Sequence, residues 1–289
     1  MENELLIAAQ LLGFGKFIPP FATAKGNEIL EGVNYASGGS GIRDETGQIL
    51  GERICLNAQL KNHGTTISRM TEILGNQNQT TDLLNKCLYT LDIGSNDFIN
   101  NYFMPLFYDT SKRYTVEQFA HVLVEQYYQQ LTTLYNYGAR KISLFGVGPV
   151  GCTPFAITMF GTNGALCVDK MNAAVQLFND QLKLLVDQLN KKLTGAKFIF
   201  IDVLAMSANI SKSIPVVSGA NGPAPLCCQV NQFGMCTPLT KPCPNRNMSL
   251  FWDAFHPTEA ANLLTAVGSY SAINPSDVHP MDINGLSQL

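Results

Sequence analysis

Short apolar β-type runs that end in glycine-bearing turns and alternate with long amphipathic helices decide most of what this chain folds into. Residues 88–93 run into Gly94-Ser95-Asn96-Asp97, and Lys141–Phe145 runs into Gly146-Val147-Gly148-Pro149. A further run, residues 197–203, is read as the last strand, and residues 33–37, which enter Gly38-Gly39-Ser40-Gly41, as an early one. Between them, Thr115-Val116-Glu117-Gln118 forms a capping box that opens a helix to about Tyr137, with Gly138 as its stop. Residues 168–193 carry apolar side chains at helical spacing. Strands alternating with helices predict an α/β fold with a doubly wound parallel sheet. In such sheets the active site lies at the carboxyl ends of the strands, where these turns fall.

The rest of the chain is read around that frame. Residues 3–12 are predicted helical, and 54–74 helical with an interruption near Gly64. Residues 213–247 form a Pro/Gly/Cys-rich excursion without a period. Pro257 opens the final helix, a favoured place for proline, and the polar tail after Ala272 is read as loose. No repeat or long linker divides the chain, which gives a single domain over residues 1–272 and a tail over 273–289.

Composition narrows the function. At 289 residues and 46% hydrophobic the chain can bury a large core, and 14% charged residues are too few for a disordered one. A net charge of −3 without Lys/Arg runs argues against nucleic acid. No apolar run reaches the roughly 18–20 residues of a membrane span. The opening Met1-Glu2-Asn3-Glu4 is acidic, unlike a signal peptide, so a chain translated from Met1 is expected in the cytosol. Eight cysteines and the sequons at Asn78, Asn209 and Asn247 point instead toward an oxidising compartment. Cys152 and Cys167 flank one loop; Cys227, Cys228, Cys236 and Cys243 cluster in another. Their spacing lacks a C-x₂₋₄-C knuckle, so disulfides are expected rather than zinc, and no metal or other cofactor is implied.

The chemistry is concentrated in Phe251-Trp252-Asp253-Ala254-Phe255-His256-Pro257-Thr258. Asp253 and His256 are three residues apart, a spacing that lets the carboxylate hold one imidazole nitrogen and direct the other toward a substrate. Such a pair activates a hydroxyl nucleophile, although a lone histidine is more often a satisfied surface or core residue. Trp252 packs behind the pair or is plain core. Gly38 offers a backbone N–H for a developing oxyanion, or is a tight turn. Asn96 offers a side-chain N–H for the same purpose, or makes an Asx-type turn. Taken singly, the turn readings are favoured for both. Asp97 is read as a turn or cap residue, and Ser37, Ser40 and Ser95 as turn residues. Gly146–Gly151 mimics a dinucleotide fingerprint, but Pro149 and the lack of a helix directly after it reject that reading. Nowhere does a strand run into a Gly-Asp-Ser turn that would supply the nucleophile.

Together these segments resemble the plant-type GDSL esterase/lipases, members of the SGNH hydrolases. Five stretches carry the resemblance in the family's order: Gly32-Val33-Asn34-Tyr35-Ala36-Ser37-Gly38-Gly39-Ser40-Gly41-Ile42, Ile93-Gly94-Ser95-Asn96-Asp97-Phe98, Tyr137-Gly138-Ala139-Arg140-Lys141, Gly148-Pro149-Val150-Gly151-Cys152 and Asp253-Ala254-Phe255-His256-Pro257-Thr258. The resemblance implies a flavodoxin-like three-layer sandwich. It makes Gly38 and Asn96 the oxyanion residues, and Asp253 and His256 the acid and base of a Ser-His-Asp triad. It implies a small-molecule acyl ester, of lipid or acetyl type, as substrate and a secreted, disulfide-bearing glycoprotein family. The family's first block, Gly-Asp-Ser, has no counterpart in these residues. The expectation is a truncated chain that lacks the nucleophile and the central first strand and is inactive as it stands. Two alternatives stay open: a pseudoenzyme that binds acyl or glycan ligands, and an acyltransferase.

Overall fold

A computed structural model of the chain describes residues 4–213 and 226–289. In chain order the elements are α1 (Glu4–Leu11), α2 (Leu56–Leu74), α3 (Gln77–Lys86), β1 (Leu88–Asp92), the single turn α4 (Ser95–Asp97), α5 (Thr110–Arg113), α6 (Val116–Asn136), β2 (Lys141–Phe145), α7 (Pro154–Phe160), α8 (Asp169–Lys192), β3 (Lys197–Ile201), α9 (Val203–Ser213), α10 (Glu259–Tyr270), β4 (Val278–His279) and α11 (Ile283–Ser287). The strands form one sheet in the order β1-β2-β3-β4. The first three are parallel, with Leu91 beside Leu144 and Leu144 beside Phe200. β4 is antiparallel to β3.

Period-2 alternation along β2 and β3 sends side chains to two separate cores. Ile142, Leu144, Phe198 and Phe200 join the larger core, with α6 and α8 side chains such as Leu123, Tyr127, Phe178 and Leu182. Phe145, Ile199 and Ile201 face the other way, onto Met206, Ile283, Leu286 and Leu5. Helices therefore cover both faces, and the molecule is a three-layer α/β sandwich. Its sheet is mixed rather than wholly parallel.

The helix ends follow their sequence signals. The Thr115 hydroxyl accepts from Gln118 N at 3.3 Å, and the Gln118 side chain accepts from Thr115 N at 2.9 Å. Five readings of the sequence are corrected. Residues 33–37 are not a strand: a strand needs a ladder partner, and among the described residues this segment pairs only at Asn34, which bridges Pro20. α2 runs unbroken through Gly64, because one glycine costs a helix only about 1 kcal/mol and Leu60, His63, Thr66 and Met70 bury one face. The final long helix begins after Thr258, whose hydroxyl caps Ala261 N, so Pro257 lies just outside it. The run from Lys197 is not the last strand, since β4 pairs Val278 with Ile201 and His279 with Phe200. Nor is the tail loose. It is polar on average, but Ile283 and Leu286 are fully buried against the sheet, and Lys141 Nζ donates to the Ser287 carbonyl at 3.0 Å.

The cysteines pair as Cys152–Cys167, Cys227–Cys243 and Cys228–Cys236. Cys55 and Cys87 remain thiols. Asn78 and Asn247 lie on the surface, whereas the side chain of Asn209 falls outside the described residues.

Candidate active site

The loop after the disulfide-rich excursion folds back on itself. Phe251 bridges Pro257 in antiparallel fashion, Trp252 N donates to the His256 carbonyl at 2.8 Å, and Thr258 N donates to the Leu250 carbonyl at 2.9 Å. Inside this narrow loop Asp253 is 2% exposed. Its Oδ1 accepts from the backbone N–H of Phe255 at 2.9 Å and of His256 at 2.8 Å. Its Oδ2 lies 2.9 Å from His256 Nδ1. Burial works to raise the Asp253 pKa, but the bonds from the His256 ring and from the two backbone N–H groups outweigh it, and the carboxyl stays below its ordinary value. An ionised carboxylate on Nδ1 selects the tautomer with the proton on that nitrogen and makes Nε2 the basic one. The Asp253–His256 pairing read from spacing is therefore formed.

The second group of residues sits at the end of β1. Asn96 Nδ2 donates to the Ser40 carbonyl at 2.9 Å, and its Oδ1 accepts from Asn100 Nδ2 at 2.6 Å. The amide thus bonds across to the Gly38–Gly41 turn, and one N–H of its NH₂ is engaged there. Gly38 is exposed, and a methyl group on it would meet nothing within 4 Å among the described residues, so its backbone is open to approach. Sterics demand glycine at Gly41, where a Cβ would lie 2.5 Å from Thr46 Cγ2 and 2.6 Å from both Asp97 carboxylate oxygens.

Asp97 is the residue whose importance the sequence reading missed. It is completely buried and accepts from Ile42 N at 2.8 Å, Arg43 N at 3.0 Å and the Thr46 hydroxyl at 2.7 Å. One carboxylate thereby ties the loop that follows Gly38–Gly41 to the turn carrying Asn96. Burial pushes its pKa up to about 6 against those three bonds. The only sequence signal was its place directly after Asn96 in Gly94-Ser95-Asn96-Asp97.

Both groups lie at the carboxyl end of the sheet. A methyl group on Gly94, after β1, would sit 2.9 Å from Val147, after β2, and 3.7 Å from Ile42. From that side α7 reaches the histidine loop: Phe155 N donates to the Ala254 carbonyl at 3.0 Å, and the Phe155 and Phe255 rings are 4.6 Å apart. Ser37 and Ser40 hold turns, Ser37 Oγ accepting from Ile54 N and Ser40 Oγ donating to the Ser37 carbonyl. Behind the histidine loop, Trp252, Thr258 and Arg246 line a cavity of about 150 Å³. A separate, open depression of about 600 Å³ lies along α6 beside Arg43, Gln126 and Gln130. Among the described residues no group of three or more Cys, His, Asp or Glu side chains is gathered as metal ligands would be, and no helix is long and apolar enough to cross a membrane.

The model of the GDSL-like lipase/acylhydrolase family matches residues 6–267 of this chain. Two GDSL esterase/lipases of Arabidopsis thaliana are 46% and 44% identical to it over 286 residues, which cover 98% of this chain and 78% of each relative. A third from the same plant is 43% identical over 98% of this chain and 79% of its own length. The chain belongs to the GDSL-like lipase/acylhydrolase family, a family of ester hydrolases.

Proposed function

We propose that this chain carries the acid–base and oxyanion machinery of a hydrolase that cleaves lipid or other acyl esters by acyl transfer. The observation that carries the reading is the buried Asp253 carboxylate 2.9 Å from His256 Nδ1, which prepares Nε2 to take a proton from a hydroxyl nucleophile and return it to the leaving alcohol. Gly38 N–H and the Asn96 amide supply the donors for the tetrahedral oxyanion. Asp97 positions both by tying their two segments together. The three disulfides support a setting in which thiols are oxidised.

The 289 residues contain no Gly-Asp-Ser turn, and the Ser37 and Ser40 hydroxyls are engaged in turns. These residues alone are therefore expected to leave short-chain nitrophenyl esters unhydrolysed above background. Placing a family-type strand and Gly-Asp-Ser turn ahead of Met1 is expected to create esterase activity, and His256→Ala in that form to lower kcat by at least about 10³-fold. Robust turnover by the 289 residues that Ser37→Ala or Ser95→Ala abolishes overturns the assignment, as does a folded graft whose hydrolysis ignores His256.

A further inference from the structure

The glycine run Gly146-Val147-Gly148-Pro149-Val150-Gly151 mimics a dinucleotide fingerprint in sequence, and the fold gives it a different use. It is the loop that leaves β2, and α8 grips it with two asparagines. Asn179 is 1% exposed. Its Oδ1 accepts from Val147 N at 2.8 Å, and its Nδ2 donates to the Val147 carbonyl at 2.9 Å. One partner can only donate and the other only accept, so the orientation of this amide is fixed. Two turns earlier on the same face of α8, Asn172 Oδ1 accepts from Gly151 N at 2.8 Å and its Nδ2 donates to Cys152 Sγ at 3.3 Å, while Val168 N donates to the Gly151 carbonyl at 2.8 Å. The two outer glycines permit this approach. A Cβ on Gly146 would lie 3.1 Å from Asn179 Oδ1 and 2.8 Å from the Phe200 ring, and one on Gly151 would lie 2.8 Å from Asn172 Oδ1 and collide with the Val168 carbonyl.

This loop touches both halves of the candidate site. Val147 lies against Gly94, where a Cβ would come within 2.9 Å of it, and Asn96 follows two residues after Gly94. Phe155, at the start of α7, donates its N–H to the Ala254 carbonyl at 3.0 Å, and His256 follows two residues after Ala254. The distance from the base to the oxyanion asparagine is thus carried by residues 147–155. We propose that Asn179 and Asn172 are positioning residues for ester cleavage, which set the separation of His256 and Asn96 by holding that loop on α8. The inference rests on the ester-hydrolase reading above and adds what fixes its two halves relative to each other. α8 also supplies a control. Asn190, three turns beyond Asn179 on the same face, makes the same pair of bonds to Phe198, accepting from its N at 2.8 Å and donating to its carbonyl at 2.9 Å. Phe198 is near the start of β3, at the end of the sheet away from the site. The same chemistry at the two ends separates holding the fold from holding the site.

Replacing Asn179 or Asn190 by Leu in the grafted form, with each variant assayed well below its melting temperature, tests this. Leu keeps the branched shape of Asn and removes both bonds. Both variants are expected to melt earlier than the parent. Asn179→Leu is expected to lose about 10²-fold in kcat, the cost of misplacing a reacting group by about 1 Å, with KM unchanged, and Asn190→Leu to keep its kcat. Gly151→Ala forces the loop off Asn172 without altering either asparagine; it is expected to follow Asn179→Leu in kcat, and it decides the matter where Asn179→Leu does not fold. In the 289 residues alone, where no turnover is needed, NMR is expected to show the Asn96 side-chain NH₂ and the His256 amide shifting together in Asn179→Leu and in Gly151→Ala, and both staying in place in Asn190→Leu. A folded Asn179→Leu with the parent's kcat overturns the proposal, as does an Asn190→Leu that loses as much, a Gly151→Ala that loses nothing, or resonances that move independently. Failure of the hydrolase reading looks different: hydrolysis by the grafted form is indifferent to His256 while the paired shifts stand.

Discussion

Two buried groups set opposite pH slopes on the stability of this fold, and replacing each in turn separates them. His63 is 5% exposed. Its ring lies edge-on to Tyr35, Tyr89 and Tyr137, its Nδ1 is 3.1 Å from the Tyr35 hydroxyl, and its Nε2 has no hydrogen-bond partner among the described residues. Burial lowers its pKa from 6.5 to about 4. Between those values the unfolded chain binds the proton and the folded one does not. The stability that His63 contributes is therefore full above pH 6.5 and falls as pH drops toward 4. Asp97 is the reverse case: burial raises its folded pKa from 3.8 to about 6, the folded state holds the proton more tightly, and stability falls as pH rises through that window. At about 1.36 kcal/mol for each tenfold in proton concentration, each contribution is roughly 3 kcal/mol, and they nearly cancel. Urea unfolding at pH 4, 5 and 6.5, followed by the fluorescence of Trp252, the single tryptophan, reads both. Relative to the unaltered chain, His63→Phe is expected to lose stability by about 3 kcal/mol more at pH 6.5 than at pH 4, and Asp97→Asn to show the opposite difference. Comparing each variant with the parent removes the shared background of other carboxylates. Curves for both variants that run parallel to the parent's within about 0.5 kcal/mol refute the reasoning.

Other substitutions test individual contacts. Gly41→Ala places a methyl group 2.5–2.6 Å from Thr46 and Asp97; it is expected to destabilise by about 2–3 kcal/mol and to lower the melting temperature by several degrees in a thermal scan, whereas Gly38→Ala, with open space around it, is expected to change it little. Asn100→Ala removes the 2.6 Å bond to Asn96 Oδ1 and is expected to cost the grafted form about tenfold in kcat, equivalent to ~1.4 kcal/mol, with KM nearly unchanged in a steady-state assay. Replacing Cys228 and Cys236 together by Ser is expected to cost about 2–3 kcal/mol and to speed amide exchange around Phe255, because Gly234 carries the carbonyl that accepts from Ala254 N at 3.0 Å.

Sequence alone made the architecture legible wherever local pattern and tertiary demand agreed. β2 and β3 alternate so that each residue has a buried destination on one face or the other, and Thr115 and Gln118 satisfy each other's backbone without help from elsewhere. What failed was what depended on a partner distant in the chain. Residues 33–37 carry a strand's composition but have Pro20, not a strand, beside Asn34. The last segment reads as polar because its apolar residues are few and spaced apart; Ile273 and Leu289 are exposed, and Val278, Met281, Ile283 and Leu286 are the ones that dock it. The candidate site divides in the same way. Asp253 and His256 are three residues apart, so their pairing is a local property and was visible. The clamp is not local: Asp97 reaches Ile42, Arg43 and Thr46 across more than 50 positions, and nothing near any of these residues announces the others. A buried carboxylate with three donors tolerates little displacement, since leaving any of those donors unpaired costs about 1–3 kcal/mol. The segments of Asn96 and Gly38, the proposed oxyanion donors, are thus tied together by a buried ionisable group. A loss of activity on replacing Asp97 follows from the drift of Asn96 and Gly38 away from each other, and it should appear in kcat without any change in the Asp253–His256 pair.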